Sequence, residues 1–120
     1  MNTKLTAKEE IIMNLLWEHG PMSVKEMIDY YDDPKPHFNT VSTFVRALEA
    51  RGLISHNDMG NTFQYYAAVD RENFNKQSLM SFVDKFYSKH ALNVVSALVS
   101  EEKISVEELR ELLDRIEKSK

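Results

Sequence analysis

The chain of 120 residues contains no cysteine and only three glycines. The lack of cysteine excludes a disulfide framework, thiolate metal ligands and a cysteine nucleophile. Each glycine stands at a predicted turn, so there is no glycine-rich loop to hold a phosphate. No stretch approaches the ~18 consecutive apolar residues that would cross a bilayer, and the first ten residues lack the apolar segment of a signal peptide. These absences favour a cytoplasmic protein.

The residues that most often carry catalysis or bind metals are scattered. The four histidines form no i, i+3 or i, i+4 pair and no HExxH motif, so no metal site is predicted. The acidic residues occur in runs such as Glu101-Glu102 and Glu107-Glu108, which are typical of solvated helix faces. The sequence therefore predicts no enzyme, no cofactor and no small-molecule ligand.

Three helix starts are predicted by capping boxes, in which a Ser or Thr precedes a Glu by three positions. The pairs are Thr6 with Glu9, Ser23 with Glu26, and Ser105 with Glu108. Apolar residues at helical spacing follow each pair, so a helix is predicted after each one.

A change of period separates two groups of helices. Residues 53–57 and 62–68 are short segments with β-branched or aromatic content, and the turn sequence between them predicts a β-hairpin. A helix that ends at Gly52 precedes the hairpin, and three helices follow it. The order predicts a mainly α fold with a small β-hairpin, in which a winged helix-turn-helix domain spans residues 1–69 and a three-helix dimerisation domain spans residues 70–120.

The helix before the hairpin, NTVSTFVRALEARG, has two unlike faces. Its apolar stripe consists of Val41, Phe44, Val45 and Leu48, at i, i+3, i+4 and i+7. The opposite face consists of Asn39, Ser42, Thr43, Arg46, Ala47 and Ala50. Small side chains let a helix approach base edges in the major groove, which is about 12 Å wide, and Arg46 can bind a guanine or a phosphate there.

The charge of the chain leaves a second interpretation open. The net charge is −4, whereas nucleic-acid-binding domains are usually basic. Within residues 34–57, however, Lys35, Arg46 and Arg51 face only Glu49, so DNA binding would use few contacts and be sensitive to salt. The alternative is a winged-helix module that contacts another protein and no DNA, which an acidic chain would suit.

The C-terminal helices are rich in large apolar residues, although ~50 residues rarely form a self-sufficient core. A second copy of the chain is the simplest way to bury this excess. The side chains predicted to form the dimer interface are Phe82, Phe86, Leu98, Leu109, Leu112, Leu113 and Ile116. The alternative is that this half folds back onto residues 1–68.

Three segments in register resemble the penicillinase repressor family, which comprises the BlaI/MecI repressors and the copper-responsive CopY relatives. The segments are LTAKEEIIMNLLWEHGPMSVKEMI, NTVSTFVRALEARGLI and FQYY. The resemblance is strong over residues 5–69 and extends to the C-terminal helices by length and layout. It implies a homodimeric repressor that binds dyad-symmetric, double-stranded operator DNA and controls resistance genes under a membrane-bound sensor peptidase.

The resemblance places the DNA contacts on the third helix and on the wing, which is the β-hairpin. The residues are Asn39, Thr40, Ser42, Thr43 and Arg46 on the helix, Arg51 at its end towards a phosphate, and Asn57, Asn61 and Thr62 at the wing tip. Phe63 and Tyr65 are predicted to pack the wing against the helices, and Trp17 and Leu16 to lie in the core.

The sequence departs from the family pattern, including at the wing tip NDMGNT, which has no lysine where relatives are often basic. Asn39, Ser42 and Ala47 stand where relatives often carry Lys or Arg, so the operator sequence cannot be transferred. Penicillin-responsive members are cleaved at an Asn-Phe pair, but the corresponding position here is Ala97-Leu98. Induction therefore either does not use proteolysis or uses a sensor with a different specificity. The copper branch carries a cysteine cluster that this chain lacks, which excludes copper sensing of that kind.

Overall fold

The structure, a computed structural model, describes residues 4–88 and 90–119. Within them lie the helices α1 (Ala7–His19), α2 (Val24–Ile28), α3 (Phe38–Ala50), α4 (Arg71–Phe86), α5 (Ala91–Ser100) and α6 (Val106–Lys118), with the strands β1 (Ile54–Asp58) and β2 (Phe63–Ala67) between α3 and α4. The predicted fold class, mainly α with a small β-hairpin and an N-terminal winged helix, is confirmed. The chain forms two compact units, one ending at Ser78 and the other beginning at Leu79.

All three predicted capping boxes are present. At the start of α1, the Glu9 N–H donates to Thr6 Oγ1 at 3.2 Å and the Thr6 N–H donates to Glu9 Oε1 at 3.0 Å. The same reciprocal bonds start α2 and α6. Helix α3 differs, because its N-cap residue His37 makes no side-chain hydrogen bond and its first turn contains no acid.

The core of the first unit forms around one stripe of α3. Val41, Val45 and Leu48 are buried and belong to the same apolar cluster as Ile12 of α1 and Met27 of α2. Phe44 is half-buried at the edge of this cluster. Because the stripe faces the core, the opposite face of α3 faces outwards.

The wing is an antiparallel hairpin whose register runs from Ile54 opposite Ala67 to Asp58 opposite Phe63. A further rung was not predicted from the sequence. The backbone of Met22, between α1 and α2, forms two hydrogen bonds of 2.8 Å with the backbone of Tyr65. This bridge joins the middle of β2 to the segment between α1 and α2.

Trp17 joins α1 to the segment that leads into α4. Its indole Nε1–H donates to the carbonyl oxygen of Val69 at 2.9 Å, and its ring lies 5.4 Å from that of Phe74. Leu16 is buried, as predicted, whereas Trp17 is half-buried against the core cluster. The polar indole nitrogen accounts for this position, since it needs a hydrogen-bond acceptor when it leaves water.

The second unit buries little of its apolar surface. Among its described residues, Val83 alone is buried. The turn after α5 has a residue in the left-handed conformation, Glu102, with φ 60°. Its N–H donates to the Val99 carbonyl at 3.0 Å, and the next N–H, of Lys103, donates to the Leu98 carbonyl at 2.9 Å. Glycine is the residue that usually occupies this position.

Glu102→Gly is expected to raise the free energy of unfolding by about 1 kcal/mol, because a residue with a Cβ is strained in the left-handed conformation. The matched control is Glu101→Gly, which removes the same charge where φ is −86°. The free energy of unfolding of that variant should not rise. Urea unfolding at a fixed protein concentration measures both, and equal changes in the two variants would contradict the prediction.

Candidate nucleic-acid interface

The outward face of α3 is exposed and carries short side chains. Asn39, Thr40, Thr43 and Arg46 are exposed, and Ser42 is half-buried. Ala47 and Ala50, which are also exposed, add no bulk to this face. A second surface can therefore approach the α3 backbone closely.

The Thr43 hydroxyl already has an acceptor within the helix. Its Oγ1 donates to the carbonyl oxygen of Asn39 at 2.8 Å. A hydroxyl has one proton to donate and can still accept. In this conformation Thr43 therefore offers a ligand an acceptor and a methyl group.

Arg46 and the wing face a common cleft of about 420 Å³. The residues that line it are Val24, Phe38, Ser42, Arg46, Gly60, Asn61, Thr62, Phe63 and Tyr65. The structure thus brings together four of the residues predicted to contact DNA, namely Ser42, Arg46, Asn61 and Thr62. Asn39, Thr40, Thr43, Arg51 and Asn57 do not line this cleft.

Phe38, which the sequence reasoning missed, is 56% exposed at the edge of this cleft. Its position, three residues before Val41, continues the apolar stripe, so helical spacing alone places it in the core. It lies in the first turn of α3, where the helix emerges from the core. The pattern of apolar residues contains no signal that separates this end of the stripe from the buried part.

The one carboxylate of α3 is bound to the wing. Glu49 Oε2 lies 2.5 Å from Nδ1 of His56 on β1. The His56 ring stacks on Phe63, with ring centroids 4.3 Å apart. This pair links the end of α3 to the wing and gives the carboxylate a local partner.

The two aromatic residues predicted to pack the wing differ. Tyr65 is buried, as predicted. Phe63 is 44% exposed, so its prediction was wrong: it pairs with Asp58 next to the hairpin turn and stacks on His56 there. Burial raises the pKa of the Tyr65 hydroxyl, and the nearby Glu49 carboxylate raises it further, whereas Arg46 opposes the rise. Tyr65 is therefore a neutral hydroxyl at physiological pH.

The wing tip is exposed and carries neutral polar groups. Asn57, Asn61 and Thr62 are all exposed. The Asp58 carboxylate accepts a hydrogen bond of 2.9 Å from the N–H of Gly60, which has a φ of 97°. The acid at this turn thus serves to close the turn.

Arg51 lies in an internal network. Its Nη1 is 3.3 Å from both carboxylate oxygens of Glu9, and its Nη2 donates to the Lys4 carbonyl at 2.5 Å. Glu9 is buried and also closes the capping box of α1. Arg51 therefore ties the end of α3 to the start of α1, and its predicted contact with a phosphate stays a prediction.

The sequence model of a protein family described as "Penicillinase repressor" matches residues 5–118. The chain belongs to the penicillinase repressor family. The predicted family is thus confirmed. Members of this family are transcriptional repressors and not enzymes, which also confirms the prediction that this protein is not an enzyme.

Curated relatives match this repressor along most of its length. The penicillinase repressor of Bacillus licheniformis is 25% identical over 114 residues, covering 91% of this chain and 86% of the relative. The methicillin resistance regulatory protein MecI of Staphylococcus aureus strain N315 is 24% identical over 116 residues, covering 96% and 94%. The solved structure of Bordetella bronchiseptica BpsR, whose DNA binding is regulated by 6-hydroxynicotinic acid, superposes with a TM-score of 0.49 at 18% identity, covering 86% of this chain and 78% of the other.

The residues predicted to form the dimer interface lie on three helices of the repressor. They are Phe82 and Phe86 on α4, Leu98 on α5, and Leu109, Leu112, Leu113 and Ile116 on α6. All are exposed except Leu109, which is half-buried. Ala97 and Leu98, the pair predicted as a possible cleavage position, lie within α5.

Neither a metal cluster nor a membrane-crossing helix occurs in the described part of the repressor. Over residues 4–88 and 90–119, no three His, Asp or Glu side chains are grouped so that they could hold a metal ion. In the same ranges, no helix has the length and apolar character needed to cross a membrane.

Arg51→Ala is expected to lower the free energy of unfolding by about 2 kcal/mol, because it leaves the buried Glu9 carboxylate without the guanidinium. The control is Arg46→Ala, on the same helix but exposed, which should cost less than about 0.5 kcal/mol. Urea unfolding followed by circular dichroism measures both. Unchanged stability of Arg51→Ala, with weakened DNA binding, would instead assign Arg51 to a phosphate.

Proposed function

We propose that this repressor acts as a cytoplasmic homodimer that binds dyad-symmetric operator DNA through the outward face of α3 and the wing. The observation that carries the proposal is the exposed, short-chained face of α3, which meets the wing at a cleft that contains Arg46. Family membership supports the same assignment. The proposed DNA contacts are Asn39, Thr40, Ser42, Thr43 and Arg46 on α3, and Asn57, Asn61 and Thr62 on the wing.

The dimensions and charge of this face suit the major groove. A helix reaches base edges only when its outward side chains leave room for the backbone to approach, and Thr43 and Ala47 do so. Two carboxylates, one on α3 and one on the wing, have local partners: Glu49 contacts His56, and Asp58 accepts from Gly60. Repulsion between these acids and DNA phosphates is thereby reduced.

The apolar surface of the second unit supports dimerisation. Phe82, Phe86 and Leu113 are between 48% and 63% exposed, and Leu112 and Ile116 are close to half exposed. Removing such side chains from water contributes about 25 cal/mol per Å² of apolar area. A second copy of the chain would cover this surface and give a two-fold axis, which a dyad-symmetric operator matches.

Relief of repression by a sensor-peptidase signal is part of the proposal, with Ala97-Leu98 as the cleavage position. This bond lies in α5, where the Ala97 and Leu98 carbonyls accept hydrogen bonds from the Glu101 and Lys103 N–H groups. Cleavage therefore requires α5 to open locally, since a protease acts on the opened form. Loss of the following residues would remove Leu109, Leu112, Leu113 and Ile116 from the proposed interface.

Thr43→Asp combined with Arg46→Ala is expected to weaken operator binding at least ~100-fold, because it removes a cation and places an anion next to the phosphates. The full-length protein would be titrated into duplexes selected by the wild type from random DNA, with fluorescence anisotropy as the readout. Asn75→Asp combined with Lys76→Ala makes the same change of −2 in net charge on exposed positions of α4, and should bind almost normally. Unchanged affinity of the α3 variant would overturn the proposed surface.

The salt series of the wild type tests the alternative function. DNA binding through phosphates predicts that affinity falls as salt rises. No salt-dependent binding to any duplex from the random pool or from the region upstream of its own gene would favour the protein–protein module instead.

Leu113→Asp is expected to convert the dimer into a monomer, because it places a charge in an apolar interface. Sedimentation velocity of the full chain measures the change. Asn93→Asp adds the same charge at an exposed polar position of α5 and should leave the dimer intact. A Leu113→Asp protein that remained dimeric at micromolar concentration would exclude this face of α6 from the interface.

A further inference from the structure

We propose that the cleft between α3 and the wing is a phosphodiester-binding site, in which Arg46 binds the backbone of one DNA strand rather than a guanine. The inference rests on the proposed DNA binding and assigns one subsite within it. It decides between two roles that the sequence leaves open for this arginine.

The position of Arg46 is the first argument. Arg46 lines the same cleft as Asn61 and Thr62 of the wing tip, with Ser42 one helical turn before it. Its charge also acts on the Tyr65 hydroxyl of β2. Arg46 therefore lies on the side of α3 next to the wing. Base edges form the floor of the major groove, and the backbones form its walls, so a side chain between helix and wing meets a backbone.

The charge of Arg46 is the second argument. Arg51 binds Glu9, and Arg71 lies near Glu18. Arg46, in contrast, forms no salt bridge with any residue that the structure describes, although it is exposed beside Glu49, which pairs with His56. A guanidinium that is permanently charged and has no internal carboxylate partner can bind a phosphate without first breaking an ion pair.

The lining of the cleft is the third argument. It contains no carboxylate, and its polar side chains besides Arg46 are Ser42, Asn61, Thr62 and Tyr65, all of which can donate. The phosphodiester oxygens are acceptors, so one cation surrounded by neutral donors suits them. The rings of Phe38 and Phe63 also line the cleft. In the proposed complex, base reading is then left to Asn39, Thr40 and Thr43.

The test compares Arg46→Ala and Arg46→Lys with the wild type on a duplex that the wild-type, full-length protein selects from random DNA. For Arg46→Ala we expect affinity to fall about tenfold on both the selected duplex and an unrelated one, because a phosphate is common to all sequences. The slope of log K against log salt should fall by about 0.9, the value for one phosphate contact. Arg46→Lys should keep most of the slope, since it keeps the charge.

Selection repeated with Arg46→Ala separates the two roles. If Arg46 binds a phosphate, the variant selects the same sequence as the wild type. Loss of a preferred guanine at one position, with Arg46→Lys as defective as Arg46→Ala, would overturn the inference and assign Arg46 to a base. An unchanged salt slope in Arg46→Ala would also overturn it, while leaving DNA binding by the repressor in place.

A control variant tests whether the loss of any exposed cation changes the salt slope. Lys76→Ala removes an exposed charge on α4 and should leave the salt slope unchanged. Circular dichroism should show the same fold for all variants, since Arg46 is exposed. If the wild type itself binds no duplex, both the proposed function and this inference fail. If the wild type binds DNA but Arg46→Ala keeps the same salt slope, only the Arg46 assignment fails.

Discussion

The packing of one stripe of α3 is the constraint on which the rest of the first unit depends. Val41, Val45 and Leu48 are almost fully buried, and each removes apolar area from water when it packs against α1 and α2. Rotation of α3 about its axis would expose these side chains and bury Arg46. The hydrophobic effect thus fixes which face of α3 is presented to solvent, although none of the buried residues belongs to that face.

Some charged residues of α3 and its end form ion pairs within the fold, and one does not. Arg51 contacts Glu9 of α1, and Glu49 contacts His56 of β1. Both charged residues near the end of α3 therefore connect this helix to a neighbouring element. Arg46 precedes both on α3 and forms no such ion pair with the described residues. Local pairing of the other charges explains how an acidic chain can present a cationic group at one surface, since paired charges contribute little field beyond a Debye length.

The sequence predicts features set by neighbours along the chain, and it misses those set by distant contacts. Capping boxes such as Thr6 with Glu9 involve residues three apart, and the α3 stripe spans two turns, so both are legible as local patterns. Arg51 and Glu9 are 42 positions apart, so their pairing depends on the fold and cannot be predicted from a local pattern. The bridge between Met22 and Tyr65 involves one residue on each side and has no periodicity, so no sequence pattern predicts it.

Because the proposed DNA surface carries few cations, tight DNA binding would depend on the dimerisation proposed for the second unit. One arginine and several neutral groups bind a half-site weakly, because affinity for DNA comes largely from neutralised phosphates. Joining two copies makes the second half-site contact intramolecular, which can raise affinity by 10²–10⁴ without any new contact. A repressor of this kind would depend on its dimer more than a basic one would. Any event that separates the copies, such as loss of the residues after Leu98, would then release the operator without changing α3 or the wing.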